Sequence, residues 1–288
     1  MNDELKDLQG VEDPLVRAKS ANGLINRYAQ WGVEATRVRN EAMQEVIASK
    51  VMTAAALGAE LGLTKGRVSQ INKGADGPPV YRAFIGAGPL TVALGGKVED
   101  RPKQDPLVAP VMASEDVRTY EHLRELALSL QLDAHYEVIP PPGIVNLNRD
   151  DLVVICGPRL SPLIEQILAS DQMLRFDKDE NGWHLEDHSS PGDVAEYRSP
   201  MDRGEHSDYA YFARLPRPDG RGTFLYIAGI HAIGSAGVVH WLGTEIAEAY
   251  QTMKTRRFSV LIHSTFDPDT REITSSSRVT PFYRPEGS

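Results

Sequence analysis

Apolar residues recur at Leu24, Tyr28, Trp31, Ala35, Val38, Ala42, Val46 and Ile47, mostly three or four apart, so the spacing predicts helix from Pro14 to Ser49. Gly32 interrupts the run, and one kinked helix or two helices both satisfy it. A second helix is predicted from about Thr53 to Leu61 and a third from Thr64 to Asn72. "KGADGPP", Lys73 to Pro79, then breaks the periodicity with glycine and proline. Beyond it the period shortens. "PLTVALGG" (Pro89–Gly96) reads as a strand ending in a glycine turn. Ser114 to Leu130 reads as an amphipathic helix with Ser114 as N-cap and Val117, Tyr120, Leu123, Leu126, Ala127 and Leu130 on one face.

"YEVIPPP" is a short strand stopped by prolines, and "DLVVICGP" is the unbroken apolar run of a strand buried on both faces. Ser161 caps a helix that opens on Pro162 and runs to about Ala169. Arg175 to Arg214 is polar and irregular, with short strand candidates at "GWHLED" and "YAYFARL". "TFLYIAGI" is a second apolar strand, Ser235 to Tyr250 a helix, and "RFSVLIHSTF" and "SSSRVTPFYR" two more strands. The expected class is α/β: an all-α helix-turn-helix N-terminal domain, then a Rossmann-like α/β domain with a mainly parallel sheet. The expected boundaries are 1–76 for the helical domain (helix-turn-helix at about 53–73), 77–90 for a linker and 91–288 for the α/β domain.

With Gly62 as the turn glycine, packing two short helices requires apolar residues at 57, 61, 63, 68 and 71. The chain has Leu57, Leu61, Leu63, Val68 and Ile71 there. Gly58 is small where the helices approach most closely. Thr64, Lys65, Gly66, Ser69 and Gln70 then face outward, where base edges lie in such dockings, and Arg67 and Lys73 suit phosphates.

Charge sharpens this picture. The 288 residues carry a net −9, yet Pro14 to Lys73 holds nine Lys/Arg against four Glu, a local +5 that leaves −14 elsewhere. A basic head on an acidic body is oriented toward nucleic acid. Cys156 is the single cysteine, which excludes an internal disulfide framework and fits a reducing compartment. "MNDELKDLQG" has no signal-peptide character, so a cytoplasmic location is expected. Phe224 to Gly243 is weakly charged, but its two His and four Gly argue against a membrane span.

The stretch from Met52 to Lys73 resembles the helix-turn-helix of sigma-factor region 4 and of related bacterial regulators. "TAAALGAE" departs from that pattern by lacking the usual backbone-contacting polar residues. "LVVICGPRLSP", "DYAYFARLPRPDGRG" and "YIAGIHAIGSAGVVH" resemble the body of actinobacterial-type regulators that join this motif to an α/β sensor. The resemblance implies double-stranded DNA as a partner and a homodimer, with RNA polymerase as a further candidate.

Two strand–turn–helix junctions are the candidate ligand site. Gly157, Arg159 and Ser161 form the first; Gly229, His231, Gly234 and Ser235 form the second. Helix N-termini at the carboxyl ends of strands favour anions, and Asp202, Asp208, Arg198, Arg203 and Arg214 are expected to reach the same crevice from a loop. A nucleotide or other phosphorylated metabolite is the expected effector, with no resident cofactor. Gly229 and Gly234-Ser235 lack the lysine of a phosphate loop, and "IGSAG" lacks the first glycine of a nucleophile elbow, so no catalytic residue is assigned. The enzymatic alternative is hydrolysis of a nucleotide or NAD with His231, Asp202 or Glu245 as acid or base. His184 and His188 lie four apart on a strand, too distant to share an ion, so no metal is expected. Cys156 reads as a small buried hydrophobe.

Overall fold

A computed structural model describes residues 8, 10–72, 79–97, 110–158, 161–190 and 192–284. The chain falls into two compact units, Met1–Pro79 and Val80–Ser288.

In the first unit, Asp13 caps α1 (Pro14–Ala48) by accepting the N–H groups of Leu15 and Val16. Pro14 stands where a missing N–H leaves no bond unmade. Its 35 residues form one helix through Gly32, about 52 Å long. The Thr53 hydroxyl accepts the Ala56 N–H at 3.2 Å to start α2 (Ala54–Leu61). The helix stops at Gly62, whose φ of +66° favours a residue without Cβ. α3 (Lys65–Asn72) follows. Met43, Leu57, Val68 and Ile71 form the core, with Val46, Ile47, Met52 and Leu63 against it. Gln44 Nε2 donates to the Ile71 carbonyl at 3.0 Å and ties α1 to the end of α3. One expected packing position is corrected: Leu61 is 44% exposed. α2 spans barely two turns and Gly62 redirects the chain at once, so Leu61 lies beyond the packed core.

The second unit holds a seven-stranded sheet in the order β10-β9-β7-β8-β3-β1-β2. Its strands are β1 (Leu90–Gly95), β2 (Ala134–Ile139), β3 (Leu152–Ile155), β7 (Ser207–Pro216), β8 (Thr223–Gly229), β9 (Phe258–Phe266) and β10 (Ile273–Arg278). Pairs β1–β2, β1–β3 and β3–β8 are parallel; β7–β8, β7–β9 and β9–β10 are antiparallel. α4 (Ser114–Ser129) and α6 (Ala232–Met253) contribute to the core on one face, with Leu123, Ala127, Val238, Trp241 and Leu242 meeting Phe212, Leu225 and Val260. α5 (Pro162–Leu168) packs on the other face, where Ile164 and Leu168 meet Val154, Tyr211 and Tyr226. A second, three-stranded antiparallel sheet of β4 (Leu174–Asp179), β5 (Gly182–Ser190) and β6 (Asp193–Arg198) inserts before β7 and joins that second core through Leu174 and Leu185.

The expected class is therefore corrected. The chain is a mixed α/β fold with a large mixed sheet, a second small sheet and, among the described residues, six α-helices. It is neither an all-α domain followed by a Rossmann-like one nor mainly parallel. Three strands, β7, β9 and β10, extend the parallel part by antiparallel pairing, and β2 reaches β3 without a helix. The polar stretch after Arg175, expected to be irregular, is largely sheet. The expected linker also holds ordered structure: Val80–Phe84 is a 3-10 helix, and Phe84 and Ile85 are buried in the core. Ala113, not Ser114, is the N-cap of α4. Among the described residues no helix is long and apolar enough to cross a membrane.

Candidate functional site

In the first unit the outward positions of α3 follow from how α2 holds it. A Cβ on Gly58 would lie 2.7 Å from the Leu63 carbonyl oxygen and 3.3 Å from Val68, so only glycine lets the helices approach this closely. The Leu63 N–H donates to the Gly58 carbonyl at 2.8 Å. Val68 and Ile71 face inward, while Thr64, Lys65 and Gly66 are exposed and Ser69 is half-buried. The backbone of Arg67 and Gln70 lies in α3, and Lys73 lies outside the described residues.

In the second unit His231 is the N-cap of α6 at the carboxyl end of β8. Its Nε2 lies 2.8 Å from Asp202 Oδ1, contributed by the 3-10 turn Pro200–Arg203. The two side chains are 41% and 45% exposed, so the pair is open to a ligand. Behind it stands Asp208, at the start of β7 and fully buried. Asp208 Oδ2 accepts the His231 N–H at 2.9 Å, while Oδ1 is buried without a hydrogen-bond partner. Burial pushes the Asp208 carboxyl up to about 6, against the pull of Ser199 and the His231 N–H. On β9, His263 is the register partner of Tyr209, with ring centroids 4.8 Å apart. Burial lowers the His263 pKa, opposed by Glu205.

The phosphate-loop reading of this junction does not fit the geometry. A Cβ on Gly229 would overlap the His231 carbonyl and lie 2.9 Å from Ser235 N; one on Gly234 would lie 2.5 Å from Asp208 Oδ2. These glycines serve close packing. Ser235 is buried and its hydroxyl accepts the Gly229 N–H at 3.0 Å. The protein's own Asp208 carboxylate already stands at the start of the helix, where an anion would sit.

The other candidates separate from this cluster. Arg214 pairs in register with Leu225, four rows from the Ala210–Gly229 pair and so about 13 Å along the sheet. It is buried, donates to the Phe84 carbonyl at 2.6 Å and lies over the Phe84 ring. Burial lowers its pKa to about 10, with Asp151 opposing. It is a packing residue. At the first junction a Cβ on Gly157 would meet open space, Ser161 is buried with its Oγ unpartnered, and Arg159 lies outside the described residues. α5, which Ser161 precedes, has only seven residues and no side-chain cap. Glu245 stands 14 residues along α6 from His231, about 21 Å away, and lines a separate cavity of about 250 Å³ with Trp241, Ser276 and Arg278. It shares no site with His231.

Asp208, expected at the crevice, stands behind His231 as a buried acid at the start of β7. Asp177 and Glu186 are not among the expected site residues: Glu186 is signalled by alternation after His184 on β5, and Asp177 meets His184 only through the β4–β5 register. Comparison of the chain with protein-family models, curated proteins and solved structures found no match.

Proposed function

We propose that the protein is a cytoplasmic, sequence-specific DNA-binding transcription regulator whose second unit takes a small polar effector. One observation carries the DNA half: Gly58, the left-handed Gly62 and Leu63 lock α2 onto α3 and leave Thr64, Lys65 and Gly66 exposed on the basic part of the chain. That face suits the major groove, with Lys65 on guanine or phosphate. The partner is double-stranded DNA, read by a homodimer. The effector half rests on the open His231–Asp202 pair. Because Asp208 already fills the anion position, the group bound there carries hydroxyls or amines, the sugar end of a nucleotide included, in place of a phosphate.

The test is selection of genomic fragments by the full-length protein, followed by affinity measurements against salt. A fragment bound well above random DNA, weakened by Lys65→Ala, supports the reading. Equal affinity for all fragments, or capture of RNA polymerase without DNA selectivity, sinks it.

A hydrolytic reading is favoured by one observation, the 2.8 Å His231–Asp202 contact, which is the spacing of an acid–base pair. Turnover of nucleotides or NAD, lost on His231→Gln, is its signature.

A further inference from the structure

We propose that Asp177, His184 and Glu186 form a binding site for a first-row divalent metal ion on the three-stranded sheet. His184 and Glu186 are two residues apart on β5, so strand alternation puts both on one face. Asp177 is the register partner of His184 on β4. One donor atom from each residue lies within 4.8 Å of the others. His184 Nε2 and Glu186 Oε1 are 3.7 Å apart, beyond hydrogen-bond distance. Two donors about 2.0–2.2 Å from one ion, at tetrahedral to trigonal angles, stand about 3.3–3.7 Å from each other.

His184 distinguishes this group from an ordinary patch of surface charge. Its side chain is 3% exposed, yet neither ring nitrogen has a hydrogen bond among the described residues. Nδ1 is buried without a partner, and Nε2 has only the Glu186 contact. Buried polar groups in native proteins are satisfied. A cation held by the imidazole gives a ring nitrogen an interaction that hydrogen bonding does not.

The surroundings fit a dication. Two carboxylates neutralise it and a neutral imidazole adds a nitrogen donor. Glu186 Oε2 is held by His188 Nε2 at 2.8 Å, an outer partner that fixes the direction of the carboxylate. His184 and His188 therefore need not share the ion; Glu186 stands between them. Two strand neighbours carry positive charge: Arg175, register partner of Glu186 on β4, whose Nε donates to the Asp171 carbonyl at 3.4 Å, and Arg198, register partner of His184 on β6. The Arg198 guanidinium is engaged by Asp179 at 2.7 and 3.1 Å and by Glu196 at 2.9 Å. Asp177 is exposed, which gives the ion a route in and leaves room for water to complete the coordination. Nitrogen and oxygen donors without thiolate suit zinc or manganese and not cuprous ion.

The test is calorimetric titration of chelator-treated full-length protein with Zn²⁺. One equivalent is expected, lost in His184→Gln and weakened about tenfold or more in Asp177→Asn and Glu186→Gln, with unchanged circular dichroism. Co²⁺ should give a visible absorption band that His184→Gln removes, which reports an imidazole ligand directly. Absence of a bound equivalent in the wild type, or the same equivalent retained in the Asp177→Asn/Glu186→Gln double variant, overturns the proposal.

Discussion

Gly237 and Ser264 meet so closely that a Cβ on the glycine would overlap the Oγ and Cβ of the serine. The contact seats α6 directly on β9, both buried at this point. Gly237→Ala should therefore lower stability by about 1–3 kcal/mol through overpacking. Adding Ser264→Gly should recover most of that loss, whereas Ser264→Ala should not, because its Cβ remains. Denaturant melts of the single and double variants measure the coupling. Simple additivity would show that the contact is not the cause.

The same contact shows what was legible in the sequence. β1, β3 and β8 could be read from unbroken apolar runs because both faces of the sheet are covered. Strand direction could not, since an apolar strand reads alike in parallel and antiparallel pairing; the mixed sheet follows from the β7–β8 hairpin and from β9 pairing with β7 after α6. β6 escaped notice because its residues are mostly exposed and show no alternation. Leu57, Gly58, Val68 and Ile71 could be placed because a turn glycine fixes the phase of two short helices. In the candidate site, the spacing of Gly229, Gly234 and Gly237 had two readings, phosphate cradle or tight packing. Only the neighbours Asp208 and Ser264 decide between them.

Asp208 makes stability depend on pH in an unusual direction. Its folded pKa, raised to about 6 from 3.8 by burial, means that the folded state holds its proton where the unfolded state has lost it. Its contribution is fully present below about 4 and is lost as pH rises through about 6, by up to about 1.4 kcal/mol per unit. Asp208→Asn keeps an oxygen to accept the His231 N–H and removes this term. The stability difference between wild type and Asp208→Asn, measured by denaturant melts from pH 4 to 7, should shift in favour of the variant up to about pH 6 and level off above it. A flat difference would contradict it.

Cys156 lies in the core, 2% exposed, where burial and the nearby Asp116 charge raise its thiol pKa well above the ordinary value. The folded protein should be inert to a thiol reagent at neutral pH and react fully once unfolded. Stoichiometric labelling of native protein would place this residue at an accessible site. Cys156→Ala should cost little more than the lost packing of a sulfur atom, since the Tyr226 hydroxyl bonds the Cys156 backbone carbonyl at 2.7 Å, not the side chain.

The proposed DNA reading separates two residues of the first unit that a simple loss of binding would confuse. Lys65 is exposed and begins α3, so Lys65→Ala removes a positive charge without touching the core. If it meets a phosphate, affinity should fall about equally for all fragments. The slope of log affinity against log salt should then shrink by about one. If it meets a base, the loss should instead concentrate on the selected sequence. Gly58→Val acts through the fold: its Cβ would lie 2.7 Å from the Leu63 carbonyl, forcing α2 and α3 apart. Its melting transition should drop, and DNA binding should fail at every salt concentration. Normal melting of Gly58→Val with full DNA affinity would show that the α2–α3 geometry does not position the reading face.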